Sequence, residues 1–391
     1  GYQDSWAVEA GSELYLLAQP DDASGHRLLH VAGWPAVARQ VELPWSSQVR
    51  SSQPESLLGA GGGVYFTARE SGHGREPWYA DAAGASRLGE VAYGHGGIDN
   101  SYVYHGQVAL DGGLLFSYRD AVHFAARSGG LRRLTSECVA ERPVARGAKA
   151  FFECDWYLAV TDGTTAGTTN LLRLDSSSGS SRERVGEAWG SGELAFIGRS
   201  EEGTDGVYVT DGTLAGTRRL PMTPNDPSYL VASTKLFLVD GTYDGRLLVS
   251  DGTAGSPAVA VDFPEDVRAE LGFAHPRGFG LFTEDGEYWS NDGTPSGWIH
   301  HGRWLVEGKR YYQPAVTVVG NRVLLYDRST VGAGPVAEFD AATGSFAAVA
   351  VDGISGGKVV AAGGRAYFLA SDDGGGNRNL YRTSLSGGGF E

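Results

Sequence analysis

The chain has 391 residues, a formal net charge of −15 at pH 7 and 59 glycines, about twice the usual share. The acidic balance argues against a nucleic-acid partner, because binding to a phosphate backbone needs a basic surface, and it also argues against an anionic membrane surface. The glycines follow no triplet period, which excludes a collagen-like chain, and the absence of any run of about 18 apolar residues predicts that nothing spans a membrane.

Pairs of apolar runs around a turn recur from the start of the chain. The first copies are HRLLHVAGWPAVARQVEL at 26–43, GREPWYADAAGASRL at 74–88 and HFAARSGGLRRL at 123–134. Short apolar runs bounded by Gly, Asp and Asn are typical of β-strands. We therefore predict an all-β chain, in which the longest candidate helix, PEDVRAELGF at 264–273, would supply only a turn or two.

Four later copies share an Asp-Gly turn: TDGTTAGT at 161–168, TDGTLAGT at 210–217, SDGTAGS at 250–256 and NDGTPSG at 291–297. The Asp carboxylate can accept hydrogen bonds from the N–H groups just ahead of it, and the Gly can adopt a positive φ. Strand-like residues flank each copy, so each is predicted to connect two strands of a hairpin. On this interpretation Asp162, Asp211, Asp251 and Asp292 form turns and are not catalytic.

The spacing of these turns predicts the architecture. Asp211, Asp251 and Asp292 are 40 and 41 residues apart, and looser copies follow at 337–349 and 379–388. With the apolar runs that precede each turn, the chain divides into nine units of about 43 residues, each with four strands. We predict a single domain over 1–391, a β-propeller of about nine four-stranded blades, with eight blades as the alternative.

Two of these patterns resemble the ELWxxDGT repeat family of secreted bacterial proteins. FTARESGHGREPWYAD at 66–81 and the TDGTxAGT copies carry the resemblance, with Glu76-Pro77-Trp78 and Glu287-Tyr288-Trp289 in place of Glu-Leu-Trp. The resemblance covers nearly the whole chain, strongly in four or five units. It implies an exported protein with a propeller-like fold, and it implies no particular activity.

The compartment can be predicted from the cysteines and the chain start. Cys138 and Cys154 are sixteen residues apart and can form a disulfide if the compartment is oxidising. The single Met is Met222 and Gly1 is not an initiator, which fits removal of a signal peptide or of a cloning tag. We predict a secreted, periplasmic or cell-surface protein, and a monomer.

Function is expected in the irregular connections between blades, on the face opposite the Asp-Gly turns, because loops carry function on a rigid scaffold. Three connections and one strand end are rich in aromatic, His and Arg residues, which suit sugar stacking and carboxylate binding. The candidate ligand-binding residues are Trp45, Arg50, His95, Tyr102, Tyr104, His105, His275, Trp304, Arg310 and Tyr311.

The stretch GWIHHGRWLVEGKRYYQP at 297–314 also permits two other interpretations. It is either an ordinary fourth strand or, in an enzyme, the source of acid–base chemistry. If the protein is an enzyme, the catalytic candidates are His300, His301, Arg303 and Tyr312.

Two functions from different classes remain open. The first is a recognition propeller that binds a glycan or a protein ligand. The alternative is a polysaccharide lyase, in which Arg neutralises a uronate carboxylate while His and Tyr transfer protons. A purely structural surface component is a third class. No cofactor is predicted, although Ca²⁺ could bind at QPDDASG (19–25) or SDDGGGN (371–377).

Overall fold

The computed structural model describes residues 7–11, 13–18, 26–33, 37–43, 54–70, 72–91, 106–155, 157–174, 187–189, 193–199, 205–222, 224, 227–241, 245–253, 255–265, 267, 269–283, 285–303, 314–327, 336–349, 359–362, 364–370 and 379–382. All regular elements in this part of the chain are β-strands. The stretch 264–273 contains no helix among its described residues, because Ala269–His275 forms a strand instead.

The strands form nine antiparallel sheets, which we number as blades 1 to 9 in chain order. Blade 1 contains β1 (Ala7–Ala10), β2 (Glu13–Ala18), β3 (Arg27–Ala32) and β4 (Val37–Gln40). Blade 2 contains β5 (Glu55–Ala60), β6 (Gly63–Glu70), β7 (Gly74–Asp81) and β8 (Gly84–Arg87). Blade 3 contains β9 (Gln107–Leu110), β10 (Gly113–Tyr118), β11 (Ala121–Ala126) and β12 (Leu131–Arg133). Blade 4 contains β13 (Glu141–Arg146), β14 (Lys149–Cys154), β15 (Tyr157–Thr161) and β16 (Thr169–Arg173).

Five further blades follow. Blade 5 contains β17 (Glu187–Trp189), β18 (Glu193–Arg199), β19 (Asp205–Thr210) and β20 (Arg218–Arg219). Blade 6 contains β21 (Pro227–Ala232), β22 (Leu236–Asp240), β23 (Arg246–Ser250) and β24 (Val259–Asp262). Blade 7 contains β25 (Ala269–His275), β26 (Gly278–Thr283), β27 (Glu287–Asn291) and β28 (Ile299–Arg303). Blade 8 contains β29 (Pro314–Val319), β30 (Arg322–Asp327), β31 (Val336–Asp340) and β32 (Ser345–Val349), and blade 9 contains β33 (Val360–Ala362), β34 (Arg365–Ala370) and β35 (Asn379–Arg382).

Each blade pairs its strands in sequence order, so every connection within a blade is a hairpin. Eight blades have four strands, and blade 9 has three within its described residues. The predicted all-β propeller of nine blades is therefore confirmed, and the eight-blade alternative is not needed. No helix among the described residues is long and apolar enough to cross a membrane.

By their contacts the residues group into two compact units, Gly1–Leu174 and Asp175–Glu391. The prediction of a single domain over 1–391 stays a prediction. Unit 1 holds blades 1 to 4, and the first strands of consecutive blades (β1, β5, β9 and β13) are neighbours. Apolar clusters join each blade to the next, and they include Tyr15 with Phe66, Tyr65 with Phe116, and Val122 with Phe152.

Unit 2 holds blades 5 to 9 and repeats this packing. The first strands β17, β21, β25, β29 and β33 again contact one another in sequence order. Its inter-blade clusters include Val209 with Leu238, Phe237 with Phe279, Phe282 with Phe339, and Leu324 with Phe368. Face-to-face burial of neighbouring sheets is what stabilises a propeller, since no blade can bury both of its faces alone.

The Asp-Gly turns join the third and fourth strands of blades 4 to 7, as predicted. In blade 4, the Asp162 Oδ1 atom accepts hydrogen bonds from the Thr164 N–H at 2.8 Å and the Thr164 hydroxyl at 2.7 Å. These bonds, the Thr164 hydroxyl first, hold the pKa of Asp162 below its ordinary value. Gly163 has the expected positive φ of 86°. Asp211 and Asp292 repeat the two bonds to Asp Oδ1.

The second glycine of the motif has a steric role. A Cβ added at Gly167 would lie 2.2 Å from Asp162 Oδ1, and one at Gly297 would lie 1.9 Å from Asp292 Oδ1. These distances are too short for two non-bonded heavy atoms. The carboxylate therefore caps the turn only because this position has no side chain.

We expect Gly167→Ala to destabilise unit 1 by roughly 1–2 kcal/mol, because the new methyl group displaces the Asp162 carboxylate from its two donors. In an Asp162→Ala background the clash is absent, and the same substitution should be neutral or slightly stabilising through the lower entropy of the unfolded chain. Urea unfolding of the two single variants and the double variant measures this coupling. Additive effects would contradict the steric explanation.

Cys138 and Cys154 form a disulfide, as predicted. It joins the connection between blades 3 and 4 to the end of β14. The same connection is held to blade 3, because the Cys138 N–H donates to the Asp120 carbonyl at 2.9 Å. The disulfide therefore adds a covalent link to an inter-blade segment that hydrogen bonds and apolar packing also hold.

Candidate functional site

Most of the residues singled out from the sequence lie outside the described residues. They are Trp45, Arg50, His95, Tyr102, Tyr104, His105, Trp304, Arg310, Tyr311 and Tyr312. The two calcium-type segments, 19–25 and 371–377, also lie outside. These predictions stay predictions. Within the described residues, no group of three or more His, Cys, Asp or Glu side chains could hold a metal ion.

The remaining candidates all lie in blade 7. His275 ends the first strand, β25, and His300, His301 and Arg303 lie on the fourth strand, β28. The interpretation of 297–314 as a fourth strand therefore applies to its residues 299–303. The Arg303 Nε atom donates to the Asp285 carbonyl at 3.1 Å, so this side chain is engaged at the β26–β27 connection.

The two adjacent histidines of β28 lie on opposite faces of the blade. The His300 ring stacks on Trp289 with 4.3 Å between centroids, and its Nε2 atom lies 3.6 Å from a carboxylate oxygen of Glu287. The His301 ring stacks on Tyr288 at 4.8 Å. A shared acid–base role needs both rings at one substrate, and this arrangement does not supply that.

The fold instead brings together His301 and His275, which the sequence presented separately. Their ring centroids are 6.5 Å apart, and both rings contact Phe339 of blade 8, at 4.3 Å from His301 and 5.6 Å from His275. His275 is buried, with 1% of its surface exposed. The two imidazoles thus occupy the interface between blades 7 and 8.

The tautomer of His275 follows from one hydrogen bond. The backbone N–H of Arg277 donates to Nδ1 at 3.1 Å, so Nδ1 is the acceptor and the neutral ring carries its proton on Nε2. This buried Nε2–H has no hydrogen-bond partner within the described residues. The Tyr288 hydroxyl in the same cluster is also buried without one. Unpaired polar groups are costly inside a core, and other blades hold similar ones, such as the Tyr15 and Tyr65 hydroxyls.

Both histidines are neutral at pH 7. Burial first, and then the charges of His301 and Arg277, lower the pKa of His275 to about 4. Burial first, and then Arg277 and His300, lower the pKa of His301 to about 4. Burial alone raises the pKa of the Tyr288 hydroxyl far above its ordinary value. The cluster therefore presents uncharged polar groups.

A cleft of about 280 Å³ opens beside this cluster and is lined by Arg277, Ser290, Asp292, Gly297 and Ile299. Arg277 belongs to the β25–β26 turn, and Asp292 and Gly297 belong to the β27–β28 turn, so the cleft lies at the end of the blade that carries the Asp-Gly turns. The site expected on the opposite face belongs largely to loops outside the described residues.

One residue that lines the cleft, Ser290, connects it to the two histidines. The Ser290 hydroxyl and the His301 Nε2 atom are 2.8 Å apart and share a hydrogen bond. Ser290 lies two residues before the turn Asp, where the other three copies have Val160, Val209 and Val249, all buried.

His301 is likewise a polar replacement of an apolar residue. It lies nine residues after the turn Asp, where the two blades with a turn of equal length have the buried Leu171 and Leu220. Blade 7 thus has a hydrogen-bonded Ser–His pair where blades 4 and 5 have a buried Val–Leu pair. Our reading of the sequence missed Ser290 and Arg277, although aligning the copies with one another would have revealed the Ser290 replacement.

Comparisons with known proteins identify no family. No family model and no curated protein matches the chain. Solved structures with similarity include apo AztD from Citrobacter koseri, at 12% identity and a TM-score of 0.43, covering 87% of this chain and 84% of that chain. A puromycin hydrolase mutant complexed with PGG has 12% identity and a TM-score of 0.45, and the similarity covers 89% of this chain and 55% of that chain. The tricorn protease has 11% identity and a TM-score of 0.36, and the similarity covers 92% of this chain and 42% of that chain. At these values the similarities carry no inference about activity, substrate or partner.

Proposed function

We propose that the chain is a secreted recognition propeller that binds a glycan without cleaving it, through the blade 7 cleft. The observation that carries the proposal is the replacement of a buried Val–Leu pair by Ser290, which lines the cleft, and His301, which is hydrogen-bonded to it. Burying polar groups where the repeat buries apolar ones costs stability, and such departures from a repeat concentrate at functional sites.

The lining of the cleft suits a sugar. It combines an exposed cation, Arg277, a carboxylate, Asp292, and Ile299, whose surface is 43% exposed. Sugars offer hydroxyl groups to polar side chains and C–H faces to apolar ones, and small-ligand sites typically combine both kinds of surface. The Asp292 carboxylate packs against Gly297, which has no side chain, and this fixes its place in the lining.

Binding is favoured over lyase chemistry by the basicity of the histidines. A general base works best when its pKa is near the operating pH. With the pKa of His301 lowered to about 4, its imidazole is neutral but a poor proton acceptor at pH 7. Its Nε2 atom is also engaged by Ser290. A lyase remains the alternative if Tyr312 and the 304–313 connection supply a different base.

The exported location rests on the Cys138–Cys154 disulfide, because disulfides persist in oxidising compartments such as the periplasm and the extracellular space. Extracellular polysaccharides are abundant glycans in those compartments. The proposed compartment therefore contains ligands of the proposed class.

The test is size-exclusion chromatography of the protein incubated with neutral and acidic extracellular polysaccharides, with protein and polymer detected separately. We expect co-elution with at least one intact polymer. The comparison variant is Ser290→Val/His301→Leu, which introduces the Val–Leu pair of blades 4 and 5. It should fold with equal or higher thermal stability and should not co-elute.

Each other outcome overturns part of the proposal. Shortened polymer would make the protein an enzyme, and new absorbance of unsaturated uronates would identify a lyase. Co-elution that survives in the double variant would move the binding site away from blade 7. If no polymer co-elutes, a glycan is not the ligand and a peptide or protein ligand becomes the hypothesis.

A further inference from the structure

We infer that the sugar recognised by the blade 7 cleft carries a carboxylate, as a uronate residue does, and that Arg277 binds this carboxylate. The inference rests on the proposed function and names the chemical class of its ligand. Its first support is the side chain of Arg277, which is exposed, lines the cleft and forms no ion pair within the described part of the chain.

The charges around the cleft favour an anion. Lys235 of blade 6 donates from Nζ to the carbonyls of Asp292 at 3.2 Å and Gly293 at 3.4 Å, which places its ammonium group at the same turn. Two cations, Arg277 and Lys235, therefore accompany one carboxylate, Asp292. Lys235 does not line the cleft, but among the described side chains named here the cations outnumber the carboxylates, and His275 and His301 are neutral at pH 7. A local cation excess attracts anionic groups to a specific point on an otherwise acidic surface.

The donors and acceptors of the cleft fit a sugar acid better than a bare anion. A guanidinium group forks onto a carboxylate with two parallel hydrogen bonds. Ser290 also lines the cleft, with a buried hydroxyl that shares its hydrogen bond with His301. Asp292 uses Oδ1 for the Thr294 N–H and hydroxyl, which leaves Oδ2 for a sugar hydroxyl. Ile299 can then contact a C–H face of the ring.

The experiment compares three kinds of polymer by isothermal titration calorimetry at pH 7. The uronate probes are polygalacturonate, polyglucuronate and alginate, the neutral probes are the same polymers after reduction of their carboxyl groups, and the sulfate probe is dextran sulfate. We expect at least one uronate polymer to bind at least about tenfold more tightly than its reduced form and than dextran sulfate, as for a charge-assisted hydrogen-bonded pair.

The variants assign the effect to one side chain. Arg277→Gln should weaken binding of that polymer at least about tenfold, and Arg277→Lys should restore only part of the affinity, because an ammonium group cannot fork onto a carboxylate. Arg173→Gln is the control, since it removes an equal charge from an exposed residue of blade 4 and should leave the affinity unchanged.

Failure of the inference and failure of the proposed function are distinguishable. Equal affinity for a uronate polymer and its reduced form, or wild-type affinity in Arg277→Gln, would overturn the inference. In that case binding that is lost in Ser290→Val/His301→Leu would leave the proposed function intact. Preference for dextran sulfate would replace the carboxylate by a sulfate ester. Absence of binding to every charged and neutral polymer would overturn both.

Discussion

Between pH 7 and pH 4.5, wild-type protein is expected to lose about 2.5 kcal/mol more of its unfolding free energy than a His275→Gln variant loses. In the unfolded chain His275 binds a proton near its ordinary pKa of 6.5, whereas in the folded chain it does so only near pH 4. The unfolded state therefore binds more protons across this window. The stability contributed by the neutral buried ring is fully present above pH 6.5 and falls as the pH falls toward 4.

His301 contributes in the same direction, since burial also lowers its pKa to about 4. The carboxylates of Asp162 and Asp292 act in a lower pH window. Their folded-state pKa values lie below the ordinary value of 3.8, so the stability that they contribute is present above pH 3.8 and is lost only as the pH falls below it. The unfolding free energy at pH 4.5 therefore reports on protonation of the histidines and not on protonation of these turn carboxylates.

The measurement is urea unfolding at both pH values, followed by tryptophan fluorescence, because Trp289 and Trp298 lie in the same blade as His275. Glutamine can replace Nδ1 as acceptor for the Arg277 N–H through its amide oxygen, so the variant should fold. His26→Gln, at an exposed histidine of unit 1, is the control and should keep the wild-type pH dependence. If His275→Gln and wild type lose the same unfolding free energy, protonation of the buried His275 ring does not cause the pH dependence between pH 7 and pH 4.5.

The fold was predictable because its repeated element is governed by local chemistry. Asp162, Gly163 and Thr164 form their turn through bonds between residues two apart in sequence, so the motif is visible without any knowledge of tertiary structure. Once one turn type is recognised, its period gives the blade, and the number of periods gives nine blades. The disulfide was equally accessible, since the chain has only two cysteines.

The candidate site was less predictable because packing between blades assembles it. His275 and His301 meet across the width of blade 7 and against Phe339 of blade 8, and no sequence spacing encodes that contact. The density of aromatic and basic residues in 297–314 drew attention to His300, whose ring packs on the other face of the strand. The more informative signal was a departure from the repeat, with Ser290 and His301 in the places of Val160 and Leu171.

Reduction of the disulfide is expected to destabilise the segment 134–155 of unit 1 by about 3 kcal/mol, because the bond closes a loop between residues sixteen apart and removes chain entropy from the unfolded segment. The effect should be local. Hydrogen–deuterium exchange of peptides within 134–155 should speed up in dithiothreitol, whereas exchange of peptides within 72–91 of blade 2 should change little. A uniform change across both regions would show that the bond stabilises unit 1 as a whole.

The Cys138→Ala/Cys154→Ala variant separates the bond from the reagent. It should exchange like reduced wild type in 134–155 and should not respond to dithiothreitol. Both cysteines are buried in the cluster between blades 3 and 4, so alanine also removes some apolar contact and the variant should be slightly less stable than reduced wild type.

A loss of about 3 kcal/mol is a large share of the 5–15 kcal/mol that stabilises a typical domain. Folded protein should accordingly accumulate better in the bacterial periplasm than in the cytosol, and equal yields of wild type in both would contradict the exported location that the proposed function requires.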